Sequence, residues 1–222
     1  MTRTYTDLPQ LMGRMTGAEK HGPAALSTLD ALWVLYDRVL YGKPGDPDRD
    51  RFLLSKGHGP MAYYAVLAAK GLMPEEWLET FGAYDSPLGH HPDRMLLPAA
   101  EIGSGSLGHG LPLAVGTALG LRAQGSEAAT WTLIGDAEFD EGSNHEALAY
   151  AGALGLSRLH AIVIDNSSAT HGWSGGIAAR FEAHGWSTAT VDGHDHQALY
   201  TAYTTPHPDR PHAVIARVEP KN

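Results

Sequence analysis

The sequence is that of an α/β protein: a doubly wound, mostly parallel sheet with helices on both faces, forming one domain over residues 1–222 with a helical N-terminal layer. Three observations lead there. Short apolar strands alternate with helical segments through the second half of the chain. Those strands are nearly continuous apolar runs, as strands covered on both faces must be. The 222 residues are 43% apolar, ample for a core, and suit one large domain better than two.

Residues 1–23 read as polar chain punctuated by Gly13, Gly17, Gly22 and Pro23. From Ala24 onward, Leu26, Leu29, Trp33, Tyr36 and Leu40 recur at helical spacing until Gly42-Lys-Pro-Gly-Asp-Pro-Asp stops them. Pro60 to Lys70 forms a second helix, with proline in its first turn and Gly71 after its end. Pro74-Glu75-Glu76 opens a short third helix, its carboxylates near the positive end of the dipole. Residues 82–110, rich in Gly, Pro and His, form a long functional loop. Helices then follow over 110–124, 144–154, 177–184 and 197–203. Between them lie strands over 129–134, 160–164, 187–191 and 213–218.

The charge narrows the function classes. With 16 basic and 25 acidic residues the net charge is −9, and no Lys/Arg cluster offers a face to nucleic acid or to an anionic membrane. The longest apolar run, Leu111 to Leu121, contains Pro112, Gly116 and Gly120 and falls short of the ~20 residues that span a bilayer. The opening MTRTYTDLPQ has no apolar signal core, so a soluble cytoplasmic protein is expected. Zero cysteines exclude disulfides, thiolate metal sites and a cysteine nucleophile. The 13 histidines are more than a core needs.

Three motifs compete for the site. Gly103-Ser-Gly105-Ser-Leu-Gly108 matches the GxGxxG dinucleotide fingerprint, but PAAEI before it is a poor strand. A glycine-rich turn into a helix is the better reading, and such a turn still admits a ligand close to its backbone. Gly172-Trp-Ser174-Gly-Gly176 matches the GxSxG of serine hydrolases, yet it stands too far from its strand to form a nucleophile elbow. The third is a pair of strand ends, Gly135-Asp136-Ala-Glu138 and Asp165-Asn166, whose Asp136 and Asn166 lie 30 residues apart, one strand–helix–strand unit. Neighbouring strands would set these two side by side at the carboxyl edge, where α/β sheets bind ligands. A carboxylate and an amide oxygen are hard donors, suited to Mg²⁺ or Ca²⁺. Capping and turn formation would explain either residue alone; the matched pair favours a metal.

These residues resemble a known family. Gly135-Asp136 through Asn166 is similar to the GDG…N signature of thiamine-diphosphate enzymes. Four segments resemble transketolase: Asp50-Arg-Phe-Leu-Leu-Ser-Lys-Gly-His58-Gly, Gly103 through Gly110, Asp136 through Glu146-Ala, and Val191-Asp-Gly-His194-Asp. They follow the family order over almost the whole chain. The resemblance implies the thiamine-diphosphate-binding fold, with Asp136, Asn166 and the Ser168 carbonyl as metal ligands. Gly105, Leu107, Gly135, Ala137 and Thr170 would lie against thiamine diphosphate. His21, His58 and His91 would line the substrate channel, Glu141 would join an intersubunit proton relay, and Glu146 would support the interface. A divalent cation also resolves a conflict of charge, since an anionic diphosphate must be held by an acidic chain.

The chain also departs from that family. Ala137 replaces the third residue of GDG, Lys20-His-Gly-Pro23 replaces Gly-His-Pro-Gly, and His109 stands for the usual Gln. His171 occupies a position where an acid is usual. Full transketolases continue into a domain whose glutamate protonates the aminopyrimidine, whereas this chain ends at Asn222. The resemblance therefore implies a diphosphate-binding subunit of a split transketolase-like enzyme. It would be active only with a separate pyrimidine-binding subunit, as an α2β2 heterotetramer. The reaction would carry a two-carbon ketol unit from a ketose or ketose phosphate to an aldehyde. Two alternatives stand beside this: an E1-like hybrid that passes the unit to a lipoyl or carrier-protein thiol, and a non-catalytic scaffold of the same fold.

Overall fold

The computed structural model describes residues 3–17 and 22–220. Its centre is a five-stranded sheet, β1 (Arg51–Leu54), β2 (Thr130–Gly135), β3 (Leu159–Asp165), β4 (Ser187–Asp192) and β5 (His212–Arg217). The spatial order is β1-β2-β3-β5-β4, and every pairing is parallel. The helices are α1 (Leu8–Met12), α2 (Gly22–Val34), α3 (Pro60–Ala69), α4 (Gly110–Ala123), α5 (Gly142–Ala153), α6 (Gly176–Glu182) and α7 (His196–Tyr203). No helix among the described residues is long and apolar enough to cross a membrane.

Alternation along the strands builds two cores. Phe52, Leu54, Trp131, Leu133, Ile162 and Ile164 point toward α1, α2, α3 and α7. Leu53, Ile134, Leu159, Ala161 and Val163 point toward α4, α5 and α6. That two-sided cover is why the strands carry apolar residues at consecutive positions. The helix α3 is buried along all ten residues and packs between α1 and α2.

Several sequence expectations need correction. The four-residue strand β1 lies inside the motif that starts at Asp50, where no strand is expected; its register, Phe52 opposite Trp131 through Leu54 opposite Leu133, makes it the edge beside β2. Residues 5–12, expected as polar chain, form a 3₁₀ turn and α1. Thr4 and Asp7 cap the turn reciprocally, and α1 buries Leu8, Leu11 and Met12. The helix expected from Ala24 ends in a π-helical turn over Leu35–Val39, and Leu26, part of its expected apolar stripe, is exposed. Leu29 and Trp33 of that stripe are buried as expected, and packing on the sheet, α3 and α7 together widens the buried set to Ala25, Thr28 and the whole run Asp30–Val34. The short helix after Pro74 is 3₁₀ over Glu75–Thr80.

Candidate functional site

β2 and β3 are adjacent, with Gly135 level with Ile164, so Asp136 and Asn166 emerge side by side at the carboxyl edge. The Asp136 amide donates to the Ile164 carbonyl at 3.0 Å, continuing the ladder one step past the strand. The Asp136 carboxylate is buried and fully engaged. Its Oδ1 accepts from Ala137 N (2.9 Å) and Ser168 Oγ (2.6 Å), and its Oδ2 from Ser168 N (2.6 Å) and Ala169 N (3.1 Å). The loop after β3 is thereby drawn onto the end of β2.

Asn166 is 6% exposed, and its Oδ1 is buried without a hydrogen-bond partner. An orphaned buried acceptor is costly, about 1–3 kcal/mol, and such groups ask for an explanation. A hard cation beside Asp136 would satisfy this one. Carboxylate and amide oxygens suit Mg²⁺ or Ca²⁺, so the donor set fits such an ion. Ala137 has φ −66°, open to any residue, so alanine in place of the family's glycine brings no backbone strain.

Glu138, to which the motifs assign no role, is 2% exposed and joins three segments. It accepts from Ser55 Oγ at the end of β1, from Gly108 N (3.1 Å) in the long loop, and from Gly135 N (3.1 Å) on β2. Burial pushes its carboxyl upward, while those three bonds and the Lys56 charge oppose the rise. Ser55 in turn accepts from Gly110 N at 2.9 Å, fixing the start of α4. The only sequence signal for Glu138 is an acid three residues past the end of β2, in a segment crowded with other acids.

The long loop is seated on this frame. Gly105 has φ +124°, and a Cβ there would lie 2.6 Å from the His91 ring, so the imidazole packs directly on its backbone. Gly108, at φ +80°, faces Glu141 and Ser143, and Ser143 Oγ donates to the Gly108 carbonyl at 2.6 Å. Leu107 is 43% exposed, with its side chain near Gly57. Lys56 is buried, passes along Gly135, and donates from Nζ to the carbonyls of Ala24 (3.0 Å) and His58 (3.2 Å).

The structure thus gathers Gly105, Leu107, His91 and Glu141 around one loop, and Gly135, Asp136, Ala137, Asn166 and Ser168 around two strand ends. His58, His91, Glu141, Glu146 and Thr170 are exposed. His21 lies outside the described residues. Ser168 meets Asp136 through its amide and hydroxyl.

An outer cluster stands behind the strand ends. Asp140 Oδ1 accepts from Trp173 Nε1 (2.7 Å) and Arg180 (2.9 Å), and Oδ2 from the His171 amide (3.3 Å), with His171 Nδ1 at 3.0 Å. Burial alone would raise the Asp140 carboxyl, but these donors hold it below the ordinary carboxylate value. His171, where the family usually has an acid, thus pairs with an acid that the chain supplies opposite. His145 is pushed down by burial and by the neighbouring Arg180 charge, which keeps it neutral as an acceptor. Ser174 of the hydrolase-like motif lies well beyond the end of β3 at Asp165, in a turn before α6, so no nucleophile elbow forms.

Comparison with known proteins identifies the family. A Rhodococcoides fascians protein named "Ferredoxin fas2" is 55% identical over 97% of this chain and 72% of its own length. These 222 residues hold no cysteine, and hence no thiolate for an iron–sulfur cluster. One of the subunits of the apulose-4-phosphate transketolase of Actinobacillus succinogenes is 38% identical over 88% of this chain and 75% of its own length. The transketolase structure from Leishmania mexicana superposes with a TM-score of 0.74 at 27% identity, over 91% of this chain and 37% of that one. The chain therefore spans little more than a third of the transketolase structures it matches. Residues 15–218 match the family described as "Transketolase, thiamine diphosphate binding domain", and the chain belongs to that family.

Proposed function

We propose that this chain is the diphosphate-binding subunit of a split transketolase-like enzyme, a single thiamine-diphosphate-binding domain that works with a separate pyrimidine-binding subunit. One observation carries the reading. The buried Asp136 carboxylate and the orphaned Asn166 Oδ1 sit at neighbouring strand ends, under a loop anchored by Ser168. Asp136, Asn166 and the Ser168 carbonyl would hold Mg²⁺ or Ca²⁺, and the ion would anchor the diphosphate in an otherwise acidic chain. Backbone at Gly105, Leu107, Gly135, Ala137 and Thr170 would lie against the cofactor.

When bound, thiamine diphosphate supplies a carbon nucleophile that accepts a two-carbon ketol unit. The chain's own residues bind, orient and move protons. His58, His91 and His21 would donate to or accept from substrate hydroxyls through their imidazole nitrogens. Glu141, beside Gly108 and at the start of α5, would pass a proton across the subunit boundary. The relative named as one subunit of an apulose-4-phosphate transketolase supports a ketose phosphate donor and an aldehyde acceptor. Its naming as a subunit also supports assembly with a complementary chain, which this reading takes to be an α2β2 heterotetramer in the cytoplasm.

The test is reconstitution. This chain and a complementary pyrimidine-binding subunit are assayed singly and mixed, with thiamine diphosphate and Mg²⁺. Ketol transfer is expected from the mixture alone. Full activity from the isolated chain, or no cofactor uptake by the mixture in calorimetry, would overturn the reading.

A further inference from the structure

The Asp136 carboxylate already receives four donors, from Ala137, from Ser168 twice and from Ala169. A carboxylate offers about four lone-pair directions, so a cation can join Asp136 only if at least one of these contacts yields. Three of the four come from the loop after β3, which also carries Asn166 and Thr170. Something else must keep that loop in place while the contacts at Asp136 change.

Arg180 is built for that task. It sits on α6, beyond Gly175 (φ +79°) and Gly176 (φ +74°), the two left-handed residues where the loop turns into the helix. Its guanidinium lies 4.2 Å from the centre of the Phe139 ring and 4.3 Å from that of Trp173. One nitrogen donates to Asp140 Oδ1 (2.9 Å), and another to the Phe139 carbonyl (3.1 Å) and His145 Nε2 (2.7 Å). Phe139 and Asp140 belong to the turn that follows Asp136, and Trp173 belongs to the loop that follows Asn166. One planar cation thus joins the same two segments that the inner Asp136 contacts join, through different atoms. Asp140 reinforces the tie by taking the indole N–H of Trp173 and the amide of His171. Lysine has neither the plane nor the fork for these simultaneous contacts.

We infer that Arg180 is a positioning residue, an outer fastening that keeps the Asn166–Thr170 loop against the end of β2 when Asp136 exchanges its backbone donors for a cation. The inference rests on the metal-and-diphosphate reading above. It extends the general rule that groups behind metal ligands fix their orientation.

The test uses the full chain with Arg180→Met, which keeps bulk, and Arg180→Lys, which keeps charge. Amide hydrogen exchange on the chain alone is expected to accelerate at least about tenfold over residues 168–174 in Arg180→Met and less in Arg180→Lys, with β2 and β3 unchanged. In the reconstituted mixture, the Mg²⁺ concentration for half-maximal activity is expected to rise about tenfold to a hundredfold in Arg180→Met, with kcat at saturating Mg²⁺ and cofactor within about threefold of wild type. Unchanged exchange in the loop overturns the proposal. So does acceleration spread through the sheet, which marks Arg180 as general support, or faster loop exchange with an unaltered Mg²⁺ requirement. If Arg180→Met does not fold, Arg180→Lys decides by the same two measurements. A wild-type mixture that takes up no cofactor overturns the functional reading and the positioning role with it, while the exchange data still report whether the fastening exists.

Discussion

At the amino-terminal edge of the sheet, His160 lies flat on Trp131 with ring centroids 3.9 Å apart, and His207 meets His160 edge-on and stacks on His212, each at 4.8 Å. At the carboxyl edge, His58, His90, His91, His109 and His171 stand exposed on loops. The residue type is the same and its chemistry differs. Burial pushes His160 well down and His212 down to about 4, so both are neutral side chains at neutral pH. The loop histidines keep contact with water and with any ligand at the strand ends. The surplus of histidine that the composition shows thus includes these two populations, and of the two only the loop histidines stand at the candidate site.

This contrast can be broken first at the carboxyl edge. Asp136→Ala is expected to abolish Mg²⁺-dependent thiamine diphosphate uptake by the reconstituted mixture, and Asn166→Ala to weaken it at least about a hundredfold, as read by calorimetry. Circular dichroism should show both variants folded. Normal uptake in both would remove the metal assignment.

The amino-terminal edge should respond to pH instead. A histidine whose folded value is depressed contributes stability that is complete above the unfolded value near 6.5 and is lost as pH falls toward the folded value. For His212 that loss is about 3 kcal/mol by pH 4, at 1.36 kcal/mol per pH unit. Urea unfolding from pH 7 to pH 4 should show it, and His212→Asn should flatten the slope. His194, two residues past the carboxyl end of β4 and outside both groups, gives the opposite sign. Its hydrogen bond to Asp30 raises it, so its contribution is complete below the unfolded value and is lost as pH rises through the folded one. His194→Gln should remove an alkaline decline and leave the acid one.

Two smaller effects sharpen the comparison. Glu138→Gln is expected to cost about 1–3 kcal/mol in urea unfolding, because one buried donor among Ser55, Gly108 and Gly135 loses its acceptor. Gly105→Ala should cost about 1 kcal/mol, from a left-handed backbone and a Cβ pressed on His91. If the clash with the imidazole matters, His91→Ala in the same chain recovers part of that loss.

Much of this protein is legible without coordinates. The strand–helix alternation after Gly110 places β2 to β5 and α4 to α7 within one or two residues of where they lie. It also puts Asp136 and Asn166 at matched strand ends, because a parallel βαβ unit brings its two carboxyl ends to one edge. β1 escapes because four residues carry no period, and α1 because it is a five-residue helix with Pro9 in its first turn and Gly13 at its end. Glu138 and Arg180 escape for another reason: their partners lie far along the chain, in segments joined only when the sheet forms.

The sequence by itself determined the layered α/β architecture, the family and the two hard donors at the site, since these depend on local periodicity and on motifs of a few residues. The tertiary structure decided which histidines are buried and neutral, that Asp136 is already saturated by donors from its own turn and the facing loop, and that Asp140 and Arg180 tie two distant loops together. Those properties depend on desolvation and on approach in space, and neither is written in the order of residues along the chain.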